Sequence, residues 1–223
     1  MKILSRILVV TMVFSLTLAV CVYAKETQTM NNPAAVVAAV PALVEKTTLD
    51  NLQAAFNGES NANAKYLAFA KKADEEGYGK VASLFRAAAR AEQVHFERHA
   101  QVIQGMGALP TAKIETPVVK TTAENVKAAF DGETYESTIM YPEFLKKAEA
   151  DQNKGAIDAF EDANAAETVH AALYKSVLDD MKGWKRGNKK FYVCPICGNV
   201  VEKMDFKNCP ICETSKKEFM AVK

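Results

Sequence analysis

The sequence predicts an all-α four-helix bundle, built from a duplicated helical hairpin, followed by a small C-terminal domain that contains four cysteines. The duplication is visible because twelve residues starting at Thr48 recur at Thr122, an offset of 74 positions, with seven identities. Each copy is followed by two long helix-forming segments joined by a short turn. The four cysteines that follow residue 24 all lie between Cys194 and Cys212, beyond the repeat.

The first 24 residues have the pattern of a secretory signal. An apolar run from Ile7 to Val20 follows two basic residues, and cleavage is expected after Ala24. An uncleaved membrane anchor is the alternative, but the run has 14 residues, whereas a spanning helix needs roughly 20. Cys21 follows the bulky Val20 instead of a small residue, which disfavours lipidation. We therefore expect an exported protein that is periplasmic after cleavage.

Removal of this signal takes away two basic residues and no acidic ones, so the net charge changes from +1 to −1. A nearly neutral protein gives no electrostatic reason to expect nucleic-acid binding. Residues 25–46 are rich in alanine, valine and threonine and contain two prolines, so they are predicted to form a flexible tether. The predicted bundle domain covers residues 47–183.

Four helices are expected in this bundle domain. Short turns make the first and second helices antiparallel, and the third and fourth likewise. The connection between the second and third helices is long and contains two prolines, and one such crossover is typical of ferritin-like bundles. The expected spans are Thr48 to about Gly77, Gly79 to Gly105, Thr122 to about Asn153, and Lys154 to Lys182.

Two Glu-x-x-His motifs occupy equivalent positions in the two halves. Glu92 and His95 lie on the second helix, and Glu167 and His170 lie on the fourth, at an offset of 75. Residues three apart project from the same face of a helix, so each motif presents a carboxylate and an imidazole together. One such motif is usually a solvated helix face, whereas two copies in a duplicated hairpin indicate a metal site.

The first and third helices supply further carboxylates, because Glu59 and Glu133 occupy equivalent positions there. One Glu from each of two helices, with Glu-x-x-His from the other two, is the donor set of carboxylate-bridged two-iron sites. Glu136 is an additional carboxylate whose counterpart in the first half is Ala62, so the two irons are expected to be inequivalent. The predicted ligands are Glu59, Glu92, His95, Glu133, Glu136, Glu167 and His170.

Two tyrosines and a third histidine lie near these positions in the sequence. Tyr66 and Tyr141 follow Glu59 and Glu133 by seven and eight residues, so both can approach the site, although a plain role in the aromatic core is the alternative. His99 has no matching histidine in the second half. We interpret it as a surface residue or as support for a ligand, and not as a ligand itself.

The C-terminal domain, residues 191–223, contains two Cys-Pro-Ile-Cys segments separated by eleven residues. Four thiolates in such pairs bind one tetrahedral ion, which zinc or iron can satisfy. Disulfide pairing within the segments is the alternative. About 33 residues are too few for a sufficient core without a metal or a disulfide, and the basic, glycine-containing residues 184–190 are predicted to be a hinge. The ligands are Cys194, Cys197, Cys209 and Cys212.

At these motifs the sequence resembles rubrerythrin, over nearly all of its length after the signal. The segments that carry the resemblance are Ala55–Ser60, Glu92–His95, Gly132–Glu136, Met140–Pro142, Glu167–His170 and the two Cys-Pro-Ile-Cys pairs. The resemblance implies a non-haem peroxidase that reduces hydrogen peroxide to water and protects against oxidative stress. It also implies an iron in the four-cysteine, rubredoxin-like site that passes electrons from an external donor to the two-iron site, generally across a head-to-tail homodimer.

The resemblance also implies roles for individual residues. Carried over, His170 binds the second iron, and His95 and Glu136 exchange on the first iron as it changes oxidation state. The other four glutamates bind iron throughout the cycle. The candidate catalytic residues are Glu136, His95, Tyr66 and Tyr141.

Two departures from the family leave alternatives open. A signal peptide is unusual in rubrerythrins, and the short gap between the cysteine pairs leaves zinc as an alternative to iron. A ferroxidase or iron-storage protein is the second functional hypothesis, and a one-electron carrier is the third.

Overall fold

The computed structural model describes residues 46–223. The predicted signal segment, Cys21 and the predicted tether up to residue 45 lie outside these described residues. None of the helices in the described part of the chain is long and apolar enough to cross a membrane.

The first hairpin consists of helix α1 (Thr48–Glu75) and helix α2 (Gly79–Gly105). Thr47 caps α1, because its side chain accepts from the backbone N–H of Asp50 while the Asp50 carboxylate accepts from the Thr47 N–H. The chain reverses through Gly77, whose φ of +76° is a conformation that glycine adopts without strain.

The second hairpin repeats this plan with one interruption. Its first helix runs as α3 (Thr122–Tyr135), a π-helical turn (Glu136–Met140) and α4 (Tyr141–Ala150), and its second helix is α5 (Lys154–Asp179). Thr121 caps α3 through the same reciprocal bonds that Thr47 makes in the first half. These elements confirm the four predicted helices, although α5 ends three residues before the predicted Lys182.

The π-helical turn is where the two halves of the duplication differ in length. The halves match at an offset of 74 up to Glu133 and at an offset of 75 from Tyr141, which is the equivalent of Tyr66. A π-turn holds one more residue than an α-turn and commonly marks a functional site. The inserted residue is therefore taken up between Glu133 and Tyr141, and the widened turn begins at Glu136.

The long connection between α2 and α3 is fastened to α1 by side-chain amides. The backbone N–H of Lys113 donates to Asn57 Oδ1, and that of Glu115 donates to Asn61 Oδ1, both at 2.8 Å. The Asn61 amide also donates to the Lys113 carbonyl at 3.0 Å. Because Gln53, Asn57 and Asn61 are spaced four residues apart, they form one row along α1, and this row fixes the path of the connection.

The C-terminal residues form a small three-stranded antiparallel sheet in the order β2-β1-β3. Its strands are β1 (Phe191–Val193), β2 (Val200–Val201) and β3 (Met220–Val222). Phe191, Val193 and Val200 belong to the same hydrophobic cluster as apolar residues of α1, α2 and α5. The sheet is therefore packed on the bundle and shares its core.

Residues 184–190, the predicted hinge, also contact the bundle. Trp184 is buried and stacks on Phe191 with an interplanar angle of 12°. The backbone N–H of Arg186 donates to the Gly77 carbonyl at 3.0 Å, and Lys80 donates to the Gly183 carbonyl at 2.9 Å. These contacts hold the linker against the turn between α1 and α2.

Two hydrophobic clusters fill the bundle, and the predicted ligands lie between them along every helix. One cluster contains Phe69, Phe85 and Tyr174, and the other contains Phe160 and Ile103. Apolar surroundings at both ends lower the local dielectric and strengthen every charge interaction in the layer between them.

Candidate metal centres

Six of the seven predicted bundle ligands form two compact groups. Within each group the ligand atoms all lie within 4.8 Å of one another, and every member is buried. Glu92 and Glu167 belong to both groups, so they are placed to bridge two metal ions. The first group adds one Glu and one His to this pair, as does the second: Glu59 and His95, and Glu133 and His170.

Both histidines direct Nδ1 at the shared carboxylates. His95 Nδ1 lies 2.8 Å from Glu167 Oε1, and His170 Nδ1 lies 2.7 Å from Glu167 Oε2. The two rings are nearly parallel, with centroids 5.9 Å apart. Glu167 therefore spans the two halves, with one oxygen toward each histidine.

The buried carboxylates fit a pair of divalent ions. Glu59 Oε2 and Glu92 Oε1 are buried without a hydrogen-bond partner among residues 46–223, a costly state for anionic oxygen unless a cation binds it. The two groups together contain four carboxylates, whose charge matches that of two divalent metals. Carboxylate oxygen with one imidazole nitrogen per metal is a donor set suited to iron.

In the absence of metal, several of the buried glutamates and histidines have raised pKa values and therefore bind protons more tightly than usual. Burial and the charge of Glu167 raise the pKa of Glu92 and that of Glu133 to about 7. Burial alone would lower the pKa of His95 and of His170, but the neighbouring carboxylates, chiefly Glu167, raise both well above their ordinary value. Burial would raise the pKa of Glu167, but the two histidines hold it below its ordinary range.

We expect the metal-free protein to lose unfolding free energy as the pH rises from about 5 to about 8. Glu92 and Glu133 bind protons more tightly in the folded state than in the unfolded state, as do both histidines, so all four contributions fall with rising pH. A carboxyl pKa raised from 4.5 to about 7 corresponds to about 3 kcal/mol. The contribution of Glu167 is complete above its unfolded pKa of 4.5, so it does not change in this interval.

Urea unfolding of the metal-free protein across this pH range measures the effect. The metal-loaded protein is the control, because bound metal replaces these protons and removes the dependence. Constant or rising stability of the metal-free form would contradict the assignment.

The structure brings both predicted tyrosines to the ligands, and each one crosses to the opposite hairpin. Tyr66 donates to Glu133 Oε1 at 2.7 Å, and Tyr141 donates to Glu59 Oε1. Burial, followed by the negative charge of that glutamate, raises the pKa of each phenol well above 10, so both remain donors. Each hydrogen bond uses one carboxylate oxygen of Glu59 or Glu133, the two glutamates that belong to a single donor group, and leaves the other oxygen for metal.

Glu136 is the one predicted bundle ligand that stands outside both groups. It is half-buried at the start of the π-helical turn. Burial, and then the negative charges of Glu59 and Glu133, raise the pKa of the Glu136 carboxyl well above its ordinary value. The Glu136 side chain is therefore close enough to interact electrostatically with these two ligands. It also lines a cavity of about 990 Å³ between α1, the α2–α3 connection and α3.

Of the two interpretations of His99, a surface residue is wrong, and support for a ligand agrees with the structure. Its side chain is 1% exposed, and Nε2 lies 3.0 Å from the Tyr141 hydroxyl oxygen. It therefore supports a residue that itself holds a ligand. The signal was its position four residues after His95, which places both on one face of α2.

The four cysteines also form a compact group, with Sγ atoms within 4.8 Å of one another. Cys194 and Cys212 have their sulfurs 3.5 Å apart, and those of Cys197 and Cys209 are 3.6 Å apart. Neither distance is that of a disulfide, which requires about 2.0 Å. All four cysteines are free thiols, which excludes pairing within the segments and is what a tetrahedral metal site requires. A hydrogen bond from Cys197 lowers the pKa of Cys194 to about 5, which favours a thiolate at neutral pH.

The two metal centres meet at the backbone of the first cysteine segment. His95 Nε2 donates to the Cys197 carbonyl at 3.0 Å, and His170 Nε2 donates to the Gly198 carbonyl at 3.1 Å. Such a bond on the outer nitrogen fixes the tautomer and leaves Nδ1 for metal. Gly198 has φ +75°, and a Cβ there would lie 2.3 Å from His95 Nε2, so only glycine permits this approach. Sequence reasoning did not detect this contact.

Known proteins agree with this arrangement. The rubrerythrin family profile matches residues 50–178. Nigerythrin of Nitratidesulfovibrio vulgaris (strain Hildenborough) is 39% identical over 176 residues, covering 78% of this chain and 86% of nigerythrin. Rubrerythrin-2 of Clostridium acetobutylicum is 33% identical over 177 residues, covering 78% of this chain and 96% of that protein. A solved structure of nigerythrin in its fully reduced, all-ferrous state matches with a TM-score of 0.74 and 38% identity, covering 82% of this chain and 91% of that chain.

These matches confirm the predicted ferritin-like bundle with its C-terminal four-cysteine region. They also confirm the predicted cofactors, because the two donor groups are those of a two-iron site and the cysteines are those of a single-metal site. The chain belongs to the rubrerythrin family.

Proposed function

We propose that this protein is a non-haem di-iron peroxidase that reduces hydrogen peroxide to water and so protects against oxidative stress. The observation that carries the proposal is the direct connection between the two metal centres. His95 touches Glu167 with Nδ1 and the Cys197 carbonyl with Nε2. A second path of the same kind runs through His170 to Gly198. An iron-storage protein has no need for such an electron inlet.

The reaction consumes one peroxide, two electrons and two protons, and it yields two waters. When bound, the two irons supply the two electrons that cleave the O–O bond. Glu92 and Glu167 hold both metals within one ligand layer, so both can face the same substrate. Electrons from an external donor enter at the four cysteines and reach the layer along the two histidine paths.

We infer that Glu136 is the movable carboxylate of this site. In the structure His95 lies inside a donor group and Glu136 lies outside, next to the cavity. Oxidised metal carries more positive charge, so exchanging a neutral imidazole for a carboxylate offsets that charge. Burial and the neighbouring carboxylates raise the pKa of Glu136, so a protonated Glu136 would be able to give its proton to the peroxide oxygen as its carboxylate joined the donor group.

Glu136→Gln is expected to keep both irons and lose peroxide turnover by about 30-fold, since a charge-assisted interaction of about 2 kcal/mol is removed. Metal content per chain measures whether both irons are kept, and steady-state peroxide reduction measures the loss of turnover. Glu143→Gln, an exposed change on α4, is the matched control. Unchanged turnover in Glu136→Gln would show that Glu136 is not the movable carboxylate.

The activity itself is tested on the mature, iron-loaded protein after anaerobic reduction. Both metal centres are followed by absorbance while hydrogen peroxide or oxygen is added. We expect rapid reoxidation of both centres by peroxide and slower reoxidation by oxygen. Slow reaction with peroxide, or uptake of many irons per chain in a large oligomer, would overturn the proposal in favour of iron handling.

The proposal includes export, which rests on the pattern of residues 1–24 alone. An intact mass that begins at residue 25, measured on protein from the periplasm, tests it. The predicted head-to-tail homodimer remains a prediction for which the measurement is mass in solution. The histidine-to-cysteine contacts described above lie within one chain.

A further inference from the structure

We propose that His99 is a positioning residue that, through Tyr141, fixes Glu59 and thereby makes one metal position of the pair different from the other. The proposal rests on the two-iron site described above, and it does not depend on which oxidant the site reduces. Nothing in the family motifs pointed to this residue.

The hydrogen bonds at the Tyr141 hydroxyl have a defined direction. The Tyr141 hydroxyl has a single proton, which it donates to Glu59 Oε1. Its oxygen must therefore accept from His99 Nε2, which lies 3.0 Å away. The network thus assigns the proton of the imidazole to Nε2. His99 Nδ1 has no hydrogen-bond partner in the described part of the chain, as an unprotonated nitrogen in an apolar site would have.

His99 acts as a neutral donor. It is buried against the rings of Phe160 and Tyr141, with centroids 5.5 and 6.0 Å away. Burial lowers its pKa to about 3. It therefore adds a hydrogen bond to the network without adding a charge near the metals.

The equivalent network in the other half of the duplication is shorter. At an offset of 75, the equivalent of His99 is Tyr174, and the equivalent of Tyr141 is Tyr66. Tyr66 donates to Glu133 just as Tyr141 donates to Glu59. The Tyr174 hydroxyl, however, has no hydrogen-bond partner among the residues described. On one side, hydrogen bonds therefore link three groups: His99, Tyr141 and Glu59. On the other side, they link two groups, Tyr66 and Glu133.

The consequence follows from cooperativity. A phenol that accepts a hydrogen bond becomes a stronger donor, so Tyr141 withdraws more negative charge from Glu59 than Tyr66 withdraws from Glu133. A less basic Glu59 stabilises the oxidised metal less, which raises the reduction potential at the Glu59 position. Glu59 and His95 share one donor group, so the affected metal is the one at which His95 is proposed to exchange.

The test compares three variants. His99→Phe removes the donor and fills the space, and His99→Gln restores an N–H at similar reach. Tyr174→Phe is the matched control, because it deletes the equivalent hydroxyl that bonds no described group. In the metal-free protein, the ¹³C NMR signal of the Tyr141 ring carbon bearing the hydroxyl, assigned with Tyr141→Phe, reports the bond.

We expect His99→Phe to shift this signal, His99→Gln to return it toward its original position, and Tyr174→Phe to leave it unchanged. In the iron-loaded protein, His99→Phe should lower the reduction potential of one iron and leave the other in place, with the same rescue by Gln. Equal signals and potentials in His99→Phe and the unmodified protein would overturn the proposal, as would failure of His99→Gln to restore them.

If His99→Phe does not fold, ¹⁵N NMR of the unmodified, metal-free protein decides. A proton on His99 Nε2 supports the proposal, and a proton on Nδ1 overturns it. Both NMR measurements are independent of peroxide turnover, so failure of the proposed peroxidase activity would leave their outcome unaffected.

Discussion

Glu167→Gln is expected to abolish binding of both irons and with it all peroxide turnover, while the four-cysteine site stays filled. Glu167 is completely buried, and its two oxygens face Nδ1 of His95 and of His170 at 2.8 and 2.7 Å. It belongs to both donor groups. Glutamine keeps the shape but offers one neutral oxygen, so it cannot bridge two cations. The donor set also loses one of the four negative charges that balance two divalent metals.

Metal content per chain measures this result directly. The matched control is Glu161→Gln, which removes an exposed carboxylate from the same helix. Helical content by circular dichroism separates loss of metal from loss of fold, and we expect it to be unchanged in both variants. Retention of two irons by Glu167→Gln would contradict the bridging assignment.

The bundle and most of its ligands were predictable because they depend on local periodicity and on the duplication. Glu92 and His95 share a helix face whatever the neighbouring helices do, and the repeat places Glu167 and His170 in the same relation. Residue spacing along one helix is enough to determine such features, so a single sequence is sufficient to predict them.

Features that depend on how helices meet were not predictable. Tyr141 donates to Glu59 across 82 positions of the chain, and His99 meets Tyr141 across 42. The insertion between Glu133 and Tyr141 is visible in the repeat, but its conversion into a π-helical turn is set by tertiary packing. Glu136 lies outside both donor groups in the structure, and its role as a ligand stays a prediction that depends on the movement proposed above.

The contact between the two metal centres belongs to the same class. It joins α2 to a loop more than 100 positions away, with His95 Nε2 separated from the Cys197 carbonyl by 102 positions and 3.0 Å. Gly198 follows the first cysteine segment in the sequence, and its role in turning the chain is local. Its second role, leaving room for an imidazole from the bundle, appears only when the sheet is packed on α2.

Gly198→Ala is expected to disconnect the two centres. An added Cβ would lie 2.3 Å from His95 Nε2, and the φ of +75° adds backbone strain, about 1–2 kcal/mol for an L-residue. His95 is held on its other side by Glu92 and Glu167, so the loop is the part that moves. Displacement of this loop lengthens the electron path between the two centres, so steady-state peroxide turnover is expected to fall.

The matched control is Gly77→Ala, which has almost the same φ of +76° but open space around the added Cβ. Rapid mixing of the fully reduced proteins with peroxide separates the two centres. In Gly198→Ala we expect the two-iron site to reoxidise at its normal rate and the four-cysteine iron to lag behind it, because only the path between them is broken. In Gly77→Ala both centres should reoxidise together. A four-cysteine iron that keeps pace in Gly198→Ala would show that electrons reach the two-iron site by a route other than the carbonyls of Cys197 and Gly198.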